Sequence, residues 1–287
     1  MDGILKSLSR KMGGETCCEI VGGNSFQYFQ RKVKDSDTLV VLLPGAYERS
    51  KGWVQYQRYS WSEDFRCNVL AISDPTISVN NDLSLGWFQG VNSSNGIDDL
   101  HMFLENYIND RSIKRENILF FGSSAGGYVS LKMCEYFPSA MCVVINPQIY
   151  VDMYWASYVD ALFRCCYPDL KKVQVVRQFR EKLQVKSKIA QHGPQRIWIY
   201  QNLKDDHHVN VHLNPFIESC QAKKLDIVNP AGETHGRKKS MVQVVYYNDD
   251  ALKHTPPARA QTIKMIRNFF VECFPEMESR FFHVKES

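Results

Sequence analysis

Six apolar runs punctuate the chain, each closed by turn chemistry or a charged cluster: "TLVVLLPGA" from Thr38, "NVLAISDP" from Asn68, "NILFFGSS" from Asn117, "MCVVINPQ" from Met141, "RIWIY" from Arg196 and "VQVVYY" from Val242. Runs of Val, Ile, Leu and Phe without polar alternation suit strands covered on both faces. Between them, Ile97 to Ile108 ("IDDLHMFLENYI") and Gly127 to Phe137 repeat their apolar positions at helical spacing, and Pro256-Pro257 opens a closing helix through about Phe270. Strand and helix in alternation predict an α/β fold with a mostly parallel sheet flanked by helices. From Tyr150 to Gln191 the pattern changes to helical periodicity, aromatic at its start and basic at its end. This stretch, 150–191, reads as a helical cap inserted into one unit made of 1–149 and 192–287.

Composition narrows the class without changing that picture. With 287 residues, 44% hydrophobic and 12% aromatic, the chain can bury a large core. The 35 basic side chains against 31 acidic leave a net charge of +4, which is no basic stripe for nucleic acid. The opening "MDGILKSLSRKMGGETCC" has no secretory apolar run, so a cytoplasmic chain is expected. Ile4, Leu5, Leu8 and Met12 fall at helical spacing among Lys6, Arg10 and Lys11 and predict a terminal helix, packed on the domain in preference to lying on a membrane surface. Nine cysteines, an odd number without a C-x-x-C pair, read as buried reduced thiols rather than a disulfide framework or zinc ribbon.

The chemistry centres on "FFGSSAGGY", in which Gly122-Ser123-Ser124-Ala125-Gly126 matches G-x-S-x-G. Chance alone places such a pattern in roughly one chain of this size in ten, so its position has to carry the argument. It follows the buried run Ile118 to Phe121 directly and precedes a helix, the strand-turn-helix setting of a nucleophile elbow. Ser124 is the candidate nucleophile.

A serine hydroxyl needs a base, and the base needs a carboxylate to orient it. In this setting the order is nucleophile, acid, base, each after a later strand. "RIWIY" is followed by "QNLKDDHH", which offers Asp205 or Asp206, with Asp206 preferred on spacing from the strand end; "VQVVYY" is followed by "NDDALKHTPP", which offers His254. His235 is a rival base, and Asp249 and Asp250 are rival acids. For the oxyanion hole, the N–H of Ala125 is one donor, and the turn "LLPGAYER" supplies the other from Gly45 or Ala46, because Pro44 has no N–H.

With these parts in place the chain resembles an α/β-hydrolase. More narrowly, "GSSAGG", "VVINPQ" after the next strand, "LKDDHH" and a histidine before the last helix resemble the bacterial capsular polysaccharide O-acetyltransferases built on that fold. "SDPTIS" with "LSLGWFQG" is similar to the related glycan acetyltransferases of accessory secretion systems. The resemblance implies a triad of Ser124, Asp206 and His254. It also implies acetyl-CoA as co-substrate with no permanently bound cofactor, a polysaccharide hydroxyl as acceptor, and peripheral association with capsule-assembly machinery. The family's glycine before the acid loop is replaced around Asn202-Leu203, which keeps both aspartates in play.

Candidate substrate contacts are Trp87 and Phe88, in a loop expected on the side of Ser124, together with Gln148 of "VVINPQ" and Trp155 among the aromatics of the 150–191 segment. Arg177, Arg180, Lys182, Lys186 and Lys188 are candidates for CoA phosphates or an anionic polymer, against a plain solvated helix face. Three further readings stay open: an esterase that removes acyl groups from a glycan with the same triad, a noncatalytic carbohydrate-binding relative of the fold, and a metal-dependent hydrolase using Asp205, Asp206, His207, His208 and His212. In the last, His208 and His212 stand four apart on one helix face. The expectation is a serine enzyme without a metal.

Overall fold

The computed structural model describes residues 13–90, 94–190, 196–222, 227–228 and 241–283. Its described strands form one nine-stranded sheet. All six apolar runs are strands: β3 (Leu39–Leu43), β4 (Asn68–Ile72), β5 (Ile118–Ser123), β6 (Met141–Ile145), β7 (Ile197–Asn202) and β9 (Val242–Tyr247). They lie parallel in the order β4-β3-β5-β6-β7-β9, with the short β8 (Ile227–Val228) outside β9. The expected mostly parallel α/β sheet is therefore present.

Sequence periodicity missed the hairpin of β1 (Glu15–Val21) and β2 (Asn24–Arg31), which adds two antiparallel strands beyond β4. Val21 pairs with Asn24, so Gly22 and Gly23 are the whole loop, both at positive φ (58° and 93°). That is the glycine-rich two-residue turn whose twist matches a hairpin. The signal was the "VGGN" between two alternating runs.

Helices cover both faces. α1 (Gly96–Asn109) and α2 (Ala125–Tyr136) pack on one side, where Leu100, Phe103, Val129 and Met133 join the core with β-strand residues such as Phe120 and Val144. The closing helix packs on the other side, burying Ile266, Phe269 and Phe270 against Phe121, Val143 and Trp198. It begins at Arg259 rather than at the proline pair and runs to Cys273; we number it α7.

Between β6 and β7 the expected helical stretch consists of α3 (Ala156–Cys166), α4 (Lys172–Gln178) and α5 (Arg180–Leu183). It is docked through polar contacts onto α2. Lys132 pairs with Glu135 at 2.9 Å and donates to the carbonyls of Glu181 (2.8 Å) and Gln184 (3.4 Å), while Glu135 accepts the N–H of Lys186 at 2.8 Å. After β7 comes a wide π-helical stretch, His208–Leu213, continuing into α6 (Asn214–Ala222). No described helix is long and apolar enough to cross a membrane. The predicted terminal helix at Ile4 to Met12 lies outside the described residues.

Candidate active site

The carboxyl ends of β5, β7 and β9 meet at one edge of the sheet. Ser124 leaves β5 at φ 54°, ψ −122°, a conformation that costs a non-glycine residue about 1–3 kcal/mol and is characteristic of functional turns. The bend is tight. A Cβ at Gly122 would come within 2.3 Å of the Gly126 backbone, and one at Gly126 within 2.4 Å of the Leu43 carbonyl oxygen. Helix and strand approach so closely only because both positions lack side chains.

Ser124 Oγ lies 3.0 Å from His254 Nε2, and His254 Nδ1 lies 2.7 Å from Asp205 Oδ2. The nucleophile and base singled out in sequence are thus in contact although 130 residues apart. The acid is a correction. The carboxylate that meets His254 belongs to Asp205, and Asp206 is exposed. The turn after β7 is shorter than strand-end spacing suggested: Asp205 N–H donates to Asn202 O at 3.1 Å, which turns the Asp205 side chain inward. Residue 206 opens the following helix and faces solvent. Asp249 instead accepts the N–H groups of Ala251 and Leu252, Asp250 pairs with Lys204, and His235 lies outside the described residues.

A second imidazole shares Asp205. His208 Nδ1 is 3.0 Å from Oδ1, and its ring stacks on His254 with centroids 3.9 Å apart at 16°. Burial pushes the His208 imidazole down to about 4, so it is neutral. Burial pushes the Asp205 carboxyl up, but hydrogen bonds from His208 and then His254 outweigh it and hold the group below the usual carboxylate range. An ionised Asp205 accepts Nδ1–H from both rings. His254 then presents the lone pair of Nε2 to Ser124, as a general base must.

Two buried asparagines fix the histidine loop, a role that sequence reasoning assigned to neither. Asn146, at the end of β6, donates to the His254 carbonyl at 3.1 Å and accepts the N–H of Asn202 at 2.8 Å. Asn202, at the end of β7, donates to the carbonyls of Asp249 and Lys253, each at 2.8 Å. A polar amide closing each of two adjacent apolar strands was the available signal.

The oxyanion-hole candidates separate. Ala125 opens α2, where the first N–H groups lack helical partners. The Gly45 N–H is taken by Gln57 Oε1 at 2.9 Å, so Ala46 is the remaining candidate of that turn. Of the four candidate substrate contacts, Phe88 is a core residue, fully buried and 6.5 Å from the ring of Phe26, because the chain turns it inward at φ 51°. Trp87 is also buried, and its Nε1–H donates to Gln148 Oε1. Gln148 Nε2 lies 3.1 Å from Ser124 Oγ. Trp155 is 52% exposed and stacks on His207 at 4.1 Å.

Two of the five basic candidates, Arg180 and Lys186, line a 610 Å³ cavity with Tyr150, Met153, Ser187 and Pro215. Tyr150 links it to the histidine cluster, since its N–H donates to His212 Nδ1 at 3.4 Å. The ligand atoms of Asp205, His208 and His254 lie within 4.8 Å of one another and are the one group among the described residues spaced to hold a metal ion. His212 is not in that group.

The fold and this edge define an α/β-hydrolase-like protein. No family model and no curated protein matches the chain. Among solved structures it is similar to a mutant of the capsule O-acetyltransferase of Neisseria meningitidis serogroup A in complex with CoA, at 15% identity over 94% of this chain and 99% of that one, with a TM-score of 0.63. It is also similar to the glycosylation-associated protein complex of Streptococcus agalactiae (12%, 91% and 47%, TM-score 0.59). EstE5 soaked with p-nitrophenyl butyrate is a third (11%, 94% and 90%, TM-score 0.52). At these identities the likeness is one of fold.

Proposed function

We propose that the chain is an O-acetyltransferase that moves an acetyl group from acetyl-CoA, through Ser124, to a hydroxyl of a bacterial surface polysaccharide. The observation that carries the acyl-serine chemistry is the contact of Ser124 Oγ with His254 Nε2 at 3.0 Å, with Asp205 behind the ring at 2.7 Å. Ser124 Oγ attacks the thioester carbonyl as its proton passes to His254. The C–S bond breaks, and His254 returns the proton to the departing thiolate, which leaves as CoA. The acceptor hydroxyl then gives its proton to His254 and attacks the acyl carbon, and Ser124 Oγ recovers that proton as the ester to the sugar is completed. N–H groups of Ala125 and Ala46 receive the oxyanion in both halves. The acetyl donor and the polymer acceptor rest on the likeness to the capsule O-acetyltransferase, which spans nearly the whole of both chains.

One experiment tests the donor and the acceptor together. The purified chain is given acetyl-CoA with and without capsular polysaccharides, and free thiol is followed. CoA release that requires a polymer, with acetate esters appearing on it, is the expected result. Release indifferent to any polymer gives the esterase reading instead, which is favoured by a His254 side chain 37% exposed and open to water. Activity that survives Ser124→Ala but is lost in EDTA would replace both with metal chemistry at Asp205, His208 and His254.

A further inference from the structure

We propose that Gln148 is a catalytic residue. Its side-chain N–H stabilises the charge that gathers on Ser124 Oγ as the proton leaves for His254, and Trp87 is the positioning residue that keeps that N–H aimed. The inference rests on the acyl-serine reading above. Gln148 is fully buried, its Nε2 is 3.1 Å from Ser124 Oγ, and its backbone N–H donates to the Ser124 carbonyl, also at 3.1 Å. Its amide cannot turn over. The indole Nε1–H of Trp87 can only donate, so the oxygen of the Gln148 amide must face Trp87 and the NH₂ must face Ser124. The reverse orientation would set one buried N–H against another and leave the amide oxygen beside the nucleophile.

The loop behind Trp87 is built for this. Trp87 and Phe88 both sit at positive φ, 48° and 51°, a strain of about 1–3 kcal/mol each that surrounding contacts must hold. The buried Asp74 supplies the hold: Oδ2 accepts the Phe88 N–H at 2.9 Å and Oδ1 the Thr76 N–H at 2.9 Å, while Thr76 Oγ1 accepts the Gly90 N–H at 3.0 Å. "SDPTIS" and "LSLGWFQG" thereby become a single device. The first segment clamps the second, which carries the indole that orients the amide at the nucleophile.

The energetic logic is differential. A donor to neutral Oγ makes an ordinary hydrogen bond, whereas to an oxygen acquiring negative charge it makes a charge-assisted one, roughly twice as strong. An interaction that strengthens on the way to the transition state raises the rate.

The test reads the second-order rate of Ser124 phosphonylation by a fluorophosphonate. Oγ attacks phosphorus, fluoride leaves and the proton goes to His254, so no acyl donor or acceptor need be known. Gln148→Ala is expected to react about 10- to 100-fold more slowly, near the lower end of what one lost oxyanion donor costs. Gln148→Glu keeps the shape, replaces the donor with an anionic acceptor and should be at least as slow, which mere packing would not produce. Trp87→Phe keeps a ring, releases the amide and should slow the reaction by about three- to tenfold. Melting temperatures show which variants fold; if Gln148→Ala does not, the isosteric Glu and the Phe variant decide. Rates within twofold of the parent for folded variants overturn the role of Gln148. A parent chain that is not labelled at Ser124 overturns the acyl-serine reading itself.

Discussion

Lys132 is a buried cation and Arg58 a half-buried one, and their surroundings have little in common. Lys132, in the seam between α2 and the helical stretch that precedes β7, has a buried carboxylate and two carbonyls around its ammonium. Arg58, beside the nucleophile elbow, forms no ion pair among the described residues. Its Nη2 donates to Ser123 Oγ at 2.5 Å, its Nη1 is buried without a partner, and its guanidinium lies 5.5 Å from the rings of Trp61 and Phe121. Burial alone pulls the Arg58 guanidinium down to about 10. The same contrast runs along both regions: the helical seam matches its polar groups, whereas His207, His208 and His212 each leave a buried Nε2 unmatched at the sheet edge. Unmatched polar atoms destabilise a fold by about 1–3 kcal/mol each, and they concentrate where a protein does chemistry. The helical seam holds; the sheet edge is kept polar for something else.

Asp205 is the exception at that edge, a charge satisfied twice over, and it gives the largest expected effect. Asp205→Asn puts an amide where His254 needs an acceptor for Nδ1–H and favours the wrong tautomer, which in a serine triad costs about 10⁴-fold in kcat. Asp206→Asn, exposed one residue away, should leave kcat within about twofold. Steady-state rates of the two variants suffice, and equal losses would sink the assignment of Asp205.

The helical seam and the elbow are next compared through stability. Lys132→Met strands Glu135, 6% exposed at its side chain, and should destabilise the fold by about 3 kcal/mol, as removing one partner of a buried pair does. Arg58→Met removes an uncompensated charge and should be neutral or stabilising. Urea denaturation of both variants checks this. A loss at Arg58 as large as that at Lys132 would show that the hydroxyl and ring contacts already balance the guanidinium, and the contrast between the regions would dissolve.

How far the sequence reaches follows the same division. Strands and helices were legible because unbroken apolar runs such as "LVVLL" can only be covered on both faces. Ser124 and His254 were legible because each follows a strand in a fixed order. Asp205 was missed because two adjacent aspartates differ only by a turn of the backbone, and a one-residue difference in that turn decides which points inward. Phe88 was misplaced for the same kind of reason, since positive φ at two consecutive residues inverts the side that a loop residue faces. Asn146 and Asn202 tying the histidine loop are long-range contacts, and His208 meets the carboxylate from only three residues on, but none of these residues carries a periodic signature.

The smallest effect concerns protons. Burial pushes His208 down to about 4 and His212 down to about 2, against about 6.5 for an ordinary imidazole, and His208 and His207 add to the depression at His212. Below about pH 6.5 the unfolded chain therefore binds protons that the folded chain refuses, so the stability present above 6.5 is lost as pH falls toward 4. Asp205 adds to the loss only at lower pH, because its carboxyl is held below the ordinary 3.8. Asp74 works the other way. Burial raises its carboxyl to about 6, so the folded chain takes up a proton first and recovers stability between about 6 and 3.8. Burial also lowers His207 and raises Asp99 and Asp152, so the histidines and the carboxyls pull in opposite directions; the deeper depression at His208 and His212 leaves a net fall in stability on acidification. Urea midpoints at pH 7.5 and pH 5 measure it, and Asp74→Asn, which removes one of the opposing carboxyls, should steepen the fall. A midpoint that holds steady or rises on acidification would mean the histidine edge is already protonated or solvated, and with it the contrast to the matched seam at Lys132 would fail.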